Sequence, residues 1–131
     1  MKSYTDIEQS KILANILPIE SADMYYQYVL PKSDKIRYNP IFGNPIDALE
    51  WYNKGYTHFG KNPLTLNEYC IPCWSLAALL AVLPNYTLQT NMDGTVFVVC
   101  ESKKPMISNA YNNPVDACIA MIEELHEQKF L

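Results

Sequence analysis

Apolar positions concentrate in one stretch: from Trp74 to Leu83 the only polar side chain is Ser75. Alanine and leucine dominate it, and both are strong helix formers. Pro72 suits a first helical turn, and Pro84 cannot continue a helix. The pattern predicts a short helix that is apolar on every face. Such a helix has to be covered on all sides and therefore lies in the middle of a core. Fully buried, each of Leu76, Leu79, Leu80 and Leu83 contributes about 1.5–3 kcal/mol. The stretch is too short to cross a bilayer, which takes about 20 apolar residues.

The other elements follow from the same kind of pattern. Thr5-Asp6-Ile7-Glu8 reads as a helix start with Thr5 as the cap and Glu8 reaching back to it. Ile12, Leu13, Ile16 and Leu17 fall on one helical stripe that ends at Pro18. Met24–Leu30 reads as a strand, with Tyr26, Tyr28 and Leu30 on one face and Tyr25, Gln27 and Val29 on the other. Pro31-Lys32-Ser33-Asp34 is a turn, and Ile36–Phe42 a candidate return strand. Asn44 caps a second helix with Pro45 at its first position and Asp47 near the positive end of its dipole; Gly55 reads as its left-handed stop. Tyr56–Tyr69 reads as a loop holding a short strand at Leu64–Asn67. Tyr86–Thr90 and Thr95–Cys100 form a hairpin around Asp93-Gly94, and the second of these, apolar on both faces, belongs inside a sheet. Glu101–Asn112 is a polar loop. Asn113 then caps a last helix whose buried stripe is Val115, Cys118, Ile119, Ile122 and Leu125, with Glu123, Glu124, Glu127 and Gln128 facing water.

The expected class is α+β: about four helices with a mostly antiparallel sheet. At 131 residues the chain is one domain by size, or two small lobes sharing a core. Asn44-Pro45-Ile46-Asp47-Ala48 matches Asn113-Pro114-Val115-Asp116-Ala117 at four of five positions. Both are preceded by a helix ending in Leu-Pro and by extended segments. Residues 5–56 and 73–131 are therefore either a duplicated helix–strand–strand–helix unit or two instances of a favourable helix start.

Composition narrows the function only by exclusion. A formal charge of −4 argues against nucleic-acid binding through a basic surface. Nothing argues for a membrane partner, and the first residues lack the apolar core of a signal peptide, so a cytoplasmic location with four reduced cysteines is expected. No phosphate-binding glycine loop and no metalloprotease or serine-hydrolase motif occurs, and no cofactor is expected. Cys70 and Cys73 form a lone Cys-x-x-Cys before the central helix, where a helix dipole lowers a thiol pKa. It lacks the strand and crossover of a thioredoxin-like unit. Zinc would need two further ligands from Cys100, Cys118, His58 and His126, and no second close pair exists. Buried structural thiols are the simpler reading. His58 in a loop and His126 in a last helical turn read as ordinary surface or cap histidines.

The one unusual feature is aromatic. Of ten tyrosines, seven lie in the first half of the chain. Tyr25, Tyr26, Tyr28, Trp51, Tyr52 and Tyr56, with Tyr38 and Phe59 nearby, make either the core of a first lobe or an interaction surface, because Tyr and Trp bury much area yet keep a polar tip.

Three segments carry a family resemblance. They are Glu8-Gln9-Ser10-Lys11 through Leu17-Pro18 to Ala22-Asp23-Met24-Tyr25; Pro72-Cys73-Trp74-Ser75 through Leu83-Pro84; and Asn113-Pro114-Val115-Asp116-Ala117-Cys118 through Leu125-His126-Glu127-Gln128. In this order the chain resembles a group of small proteins encoded by gut Bacteroidetes, their phages and mobile elements. The group has no assigned activity, so no site residue carries over, and the Cys70 position varies in it. The resulting expectation is a non-enzymatic interaction or regulatory protein of phage or mobile-element type, acting on a protein partner through a Tyr-rich surface. The alternatives are a thiol-redox or metal-binding protein using Cys70 and Cys73, and a small-ligand-binding domain with an aromatic groove.

Overall fold

The computed structural model describes residues 2–29, 32–57, 59–101 and 105–131. Its elements in chain order are α1 (Ile7–Ala14), a 3-10 turn (Ile19–Ser21), β1 (Met24–Gln27), β2 (Ile41–Phe42), α2 (Pro45–Thr57), α3 (Leu66–Tyr69), β3 (Cys70–Cys73), α4 (Leu76–Val82), β4 (Tyr86–Thr90), β5 (Val96–Cys100), β6 (Met106–Ile107) and α5 (Pro114–Glu127). The class is α+β, with two three-stranded antiparallel sheets of order β2-β1-β3 and β4-β5-β6.

The apolar stretch splits where the sequence suggested one helix. Cys70–Cys73 is a strand paired with β1, and α4 begins only after Ser75. The Ser75 hydroxyl accepts from the Ala78 amide at 3.2 Å and so caps the helix. Pro72 is tolerated because β3 is an edge strand. Tyr28 N–H donates to Tyr69 O, and counting back in register turns the Pro72 nitrogen outward, away from β1. Nor is α4 covered on all sides. Leu79 is fully buried, Leu80 is half-buried, and Ala77 and Ala81 face solvent. Alanine is as much at home on a helix surface as in a core, so an all-apolar helix face does not by itself require burial.

The largest core joins α4, α5 and β5. Leu79 and Leu83 meet Val98, Cys118, Ile122 and Leu125, with Leu13 of α1 and Trp74 alongside. All five positions of the expected α5 stripe are buried, and Ala117 and Met121 join them. Asn113 caps α5, its Oδ1 accepting from the Asp116 amide at 2.9 Å. Asn44 does the same for α2, accepting from Ile46 N at 2.9 Å. The hairpin also holds: β5 is the middle strand of its sheet, with β4 on one side and β6 on the other.

Several boundaries move. Asp6, not Thr5, caps α1, exchanging hydrogen bonds with Gln9 in a capping box. The Thr5 hydroxyl is fully buried instead, beside Ser10 and Cys73. The expected return strand shrinks to β2 and a single bridge between Tyr28 and Ile36. Leu64–Asn67 is not a strand: Thr65 and Glu68 form a capping box, and one helical turn follows. Gly55 does not stop α2, which runs on to Thr57. The segment read as a polar loop contains β6, whose Met106 enters the core. Leu30, Pro31, His58 and part of that segment (102–104) lie outside the described residues.

The two halves do not share one element order: β1 and β2 lie between α1 and α2, but β4, β5 and β6 between α4 and α5, and their packing differs too. α5 lies against α4 and β5, whereas α1 lies against β3 and α2 against α3 and the 3-10 turn.

The segment 8–25 is hydrogen-bonded to both 72–84 and 113–128. Trp74 Nε1 donates to Ser21 Oγ at 2.9 Å. Asp23 accepts from the Ser75 amide at 2.9 Å and from the Ser75 hydroxyl. Asp116 accepts from Gln9 Nε2 and Lys2 Nζ, both at 2.8 Å, and from Asn113 Nδ2 at 2.9 Å. These polar side chains tie α1, the 3-10 turn, α4 and α5 together.

Candidate aromatic binding face

Strand alternation divides the tyrosine group. Tyr26 is buried on one face of β1 with Met24, Ile71 and Cys73, and its hydroxyl donates to Thr5 O at 2.8 Å. Tyr28 packs half-buried at the edge of the same cluster. Tyr25 is buried on the opposite face with Tyr69 and Cys70. These three positions serve mainly as core.

From Tyr25 a run of rings leads outward. Tyr25 lies 5.9 Å from Tyr69, Tyr69 lies 5.1 Å from Tyr52, and Tyr52 stacks on Tyr56 at 4.3 Å, centroid to centroid. Separations of this order favour offset and tilted aromatic pairs. Burial, and then the neighbouring phenols, push the Tyr69 and Tyr52 hydroxyls above the ordinary tyrosine range. The inner end of the run is core and the outer end is surface. Tyr52 and Tyr56 are i, i+4 neighbours on α2, so both rings leave the same side of the helix.

Trp51, Gly55 and Phe59 also follow at i, i+4 spacing. With Tyr52, Lys54 and Tyr56 they line an open groove of about 470 Å³. Trp51 is 79% exposed and Phe59 is 78% exposed. The segment after α2 is pinned in place: Asn53 donates to Leu64 O at 3.0 Å and accepts from Leu64 N at 2.8 Å. Lys61 lies over the Tyr56 ring, 5.3 Å from its centroid. The groove therefore has a wall of large rings, a bare floor at Gly55 and two ammonium groups nearby. Tyr69, Gly55 and Lys61 escape a reading of composition; the four-residue spacing of 51, 55 and 59 points to Gly55, and no sequence signal points to Tyr69 or Lys61.

Gly55 has no evident role in the fold. It sits within α2 without the positive φ that favours glycine, and a Cβ built on it meets nothing within 4 Å. Glycine in the middle of a helix costs about 0.5–1 kcal/mol relative to alanine, and in the last turn, where Gly55 stands, that figure is an upper bound.

The Cys-x-x-Cys residues are not brought together. On a strand, positions i and i+3 point to opposite faces: Cys70 joins the Tyr25 cluster and Cys73 joins Met24 and Tyr26. Three strand residues span about 10 Å, beyond the roughly 4.4–6.8 Å that a disulfide bridges between Cα atoms. Burial pushes the Cys70 thiol up to about 12 and raises that of Cys73. Cys100 and Cys118 are buried too. Among the described residues no three His, Cys, Asp or Glu side chains are placed to hold a metal ion. His126 is exposed in the last turn of α5. No helix of the described residues is long and apolar enough to cross a membrane.

Comparison of the chain with family models, curated proteins and solved structures returns no match.

Proposed function

We propose that this chain is a non-enzymatic interaction protein whose binding face is the α2 groove formed by Trp51, Gly55, Tyr56 and Phe59. The observation that carries the reading is Gly55: a glycine in the last turn of α2, with no conformational or steric need for it, between two large exposed aromatic rings. A bare Cα lets a partner's backbone approach closely, and flanking Trp and Tyr rings supply the apolar area typical of binding hot spots. Lys54 and Lys61 favour a partner that surrounds an apolar anchor with acidic side chains. The resemblance of the three segments supports a phage or mobile-element setting, and four free thiols suit a reducing compartment such as the cytoplasm.

The groove is built largely from one helix and lies open. A small-molecule site normally encloses most of its ligand, so this shape favours a macromolecular partner. The thiol-redox alternative lacks a paired, accessible dithiol.

The test is selection of binders from a displayed library of protein fragments, followed by affinity measurement against variants. Trp51→Ala and Gly55→Leu should each weaken the selected binders by at least about tenfold, the usual mark of a hot spot. Both variants should unfold at the wild-type midpoint or above. Binders indifferent to both substitutions would remove the α2 face as the site.

A further inference from the structure

A second groove, lined from α5 and β6, has a different chemistry. It lies between β6 and the flank of α5 and measures about 730 Å³. Ile119 of α5 and the Ile107 strand position line it, and Glu123, Glu124 and Glu127 stand along its α5 side. A fourth carboxylate there, Asp116, is already held by Lys2, Gln9 and Asn113. Among the described lining residues there is no cation, and the three glutamates form no ion pair with any described residue.

The strand beside the groove is an edge. β6 pairs with β5 on one side, and in the described residues no strand covers the other. Ser108 N–H donates to Val98 O at 2.8 Å, so positions 106 and 108 are turned toward β5. Alternation then turns the N–H and C=O of Ile107 to the open edge. The Ile107 side chain is 69% exposed, whereas Met106 on the other face enters the core under α5. Natural sheets blunt such edges by keeping them short and by charge or proline. β6 is two residues long and follows Pro105, and the one outward main-chain pair it leaves, at Ile107, stands beside a row of carboxylates.

We infer that this groove receives an extended, basic segment of a partner protein, added as a strand to the outer edge of β6 and running along α5. Strand addition takes its affinity from main-chain hydrogen bonds and its specificity from alternate side chains. Residues of the incoming strand that point toward α5 meet Glu123, Glu124 and Glu127 and should be lysine or arginine. Those between them pack beside Ile107 and should be apolar. The charge match also speeds encounter and makes binding salt-dependent.

The probe is a displayed library of short random peptides, panned against the full chain. The expected result is enrichment of peptides in which Lys or Arg alternates with apolar residues. Their affinity should fall by at least about tenfold in Glu123→Gln/Glu124→Gln/Glu127→Gln, which removes the charge without altering shape, and fall again in raised salt. Ile107→Pro removes the outward N–H and should abolish binding while β4 and β5 keep their amide protection. If Ile107→Pro fails to fold, the same peptides bound to the wild type should protect the Ile107 amide from exchange. Selection of acidic peptides, of helical ones, or of none at all would overturn the inference. So would binding that survives both the triple glutamine variant and Ile107→Pro.

Discussion

Two regions of this molecule use similar residue types to opposite ends. At the junction of α1, α4 and α5, Trp74 is fully buried and its indole N–H has a partner; Asp23, Ser75, Gln9 and Asp116 are all hydrogen-bonded. On α2, Trp51 is largely exposed, and a glycine lies one turn after it. The junction satisfies every local rule at once: caps, burial and polar pairing agree. The α2 face departs from two of them, helix propensity at Gly55 and burial of a large ring at Trp51. Local conflict without a folding reason is the expected mark of a functional surface. The junction, by contrast, uses its polar side chains to hold α1, the 3-10 turn, α4 and α5 together.

The contrast predicts which substitutions the fold will feel. The largest loss should come from Leu79→Ala, at about 2–5 kcal/mol, because a fully buried leucine leaves a cavity. Leu80→Ala should cost clearly less, since that side chain is only half-buried. Tyr25→Ala should also cost several kcal/mol by loss of a buried ring, while Trp51→Ala should stay within about 0.5 kcal/mol as an ordinary surface change. Urea denaturation of the four variants would erase the distinction if Trp51→Ala matched Tyr25→Ala.

A smaller effect sharpens the junction itself. Asn113→Ala removes the acceptor of the Asp116 amide and should cost about 0.5–2 kcal/mol. A denaturation midpoint equal to that of the wild type would mean that the cap is dispensable.

The smallest loss is visible only in acid. Burial opposes the Asp116 carboxylate, but hydrogen bonds from Lys2, Gln9 and Asn113 outweigh it and hold its pKa below the ordinary value. A group whose folded pKa is depressed contributes stability that is present above its unfolded pKa, near 4, and lost as pH falls through the folded one. Stability measured from pH 6 downward should therefore fall below about pH 4. Asp116→Asn should shallow that limb. An identical acid limb in the variant would deny Asp116 this role.

Much of this architecture was legible in the chain. Asn113, Pro114 and the stripe from Val115 to Leu125 specify α5 locally, and β5 reads as a central strand because both its faces are apolar. What was not legible depended on distant partners. Cys70–Cys73 becomes a strand only because β1 is there to pair with it, and Pro72 fits only because the strand is an edge. Thr5 gives up the cap of α1 to Asp6 because its hydroxyl is drawn into the Ser10 and Cys73 cluster. The candidate site was half visible. Composition marked the tyrosines, but only alternation on β1 and the turn of α2 separate the buried rings from the exposed ones. In the sequence Gly55 reads as a helix stop, but that role requires a positive φ, which Gly55 does not have.

The central claim is that the fold does not need the α2 face as it stands. The most direct measurement is the equilibrium unfolding free energy of the double variant Trp51→Ala/Gly55→Ala. Removing an exposed ring should change little, and replacing a strain-free helical glycine should add at most about 0.5–1 kcal/mol. The account predicts a double variant at least as stable as the wild type. A loss of more than about 1.5 kcal/mol, beyond what surface substitutions produce, would show that the fold uses this face and would contradict the account.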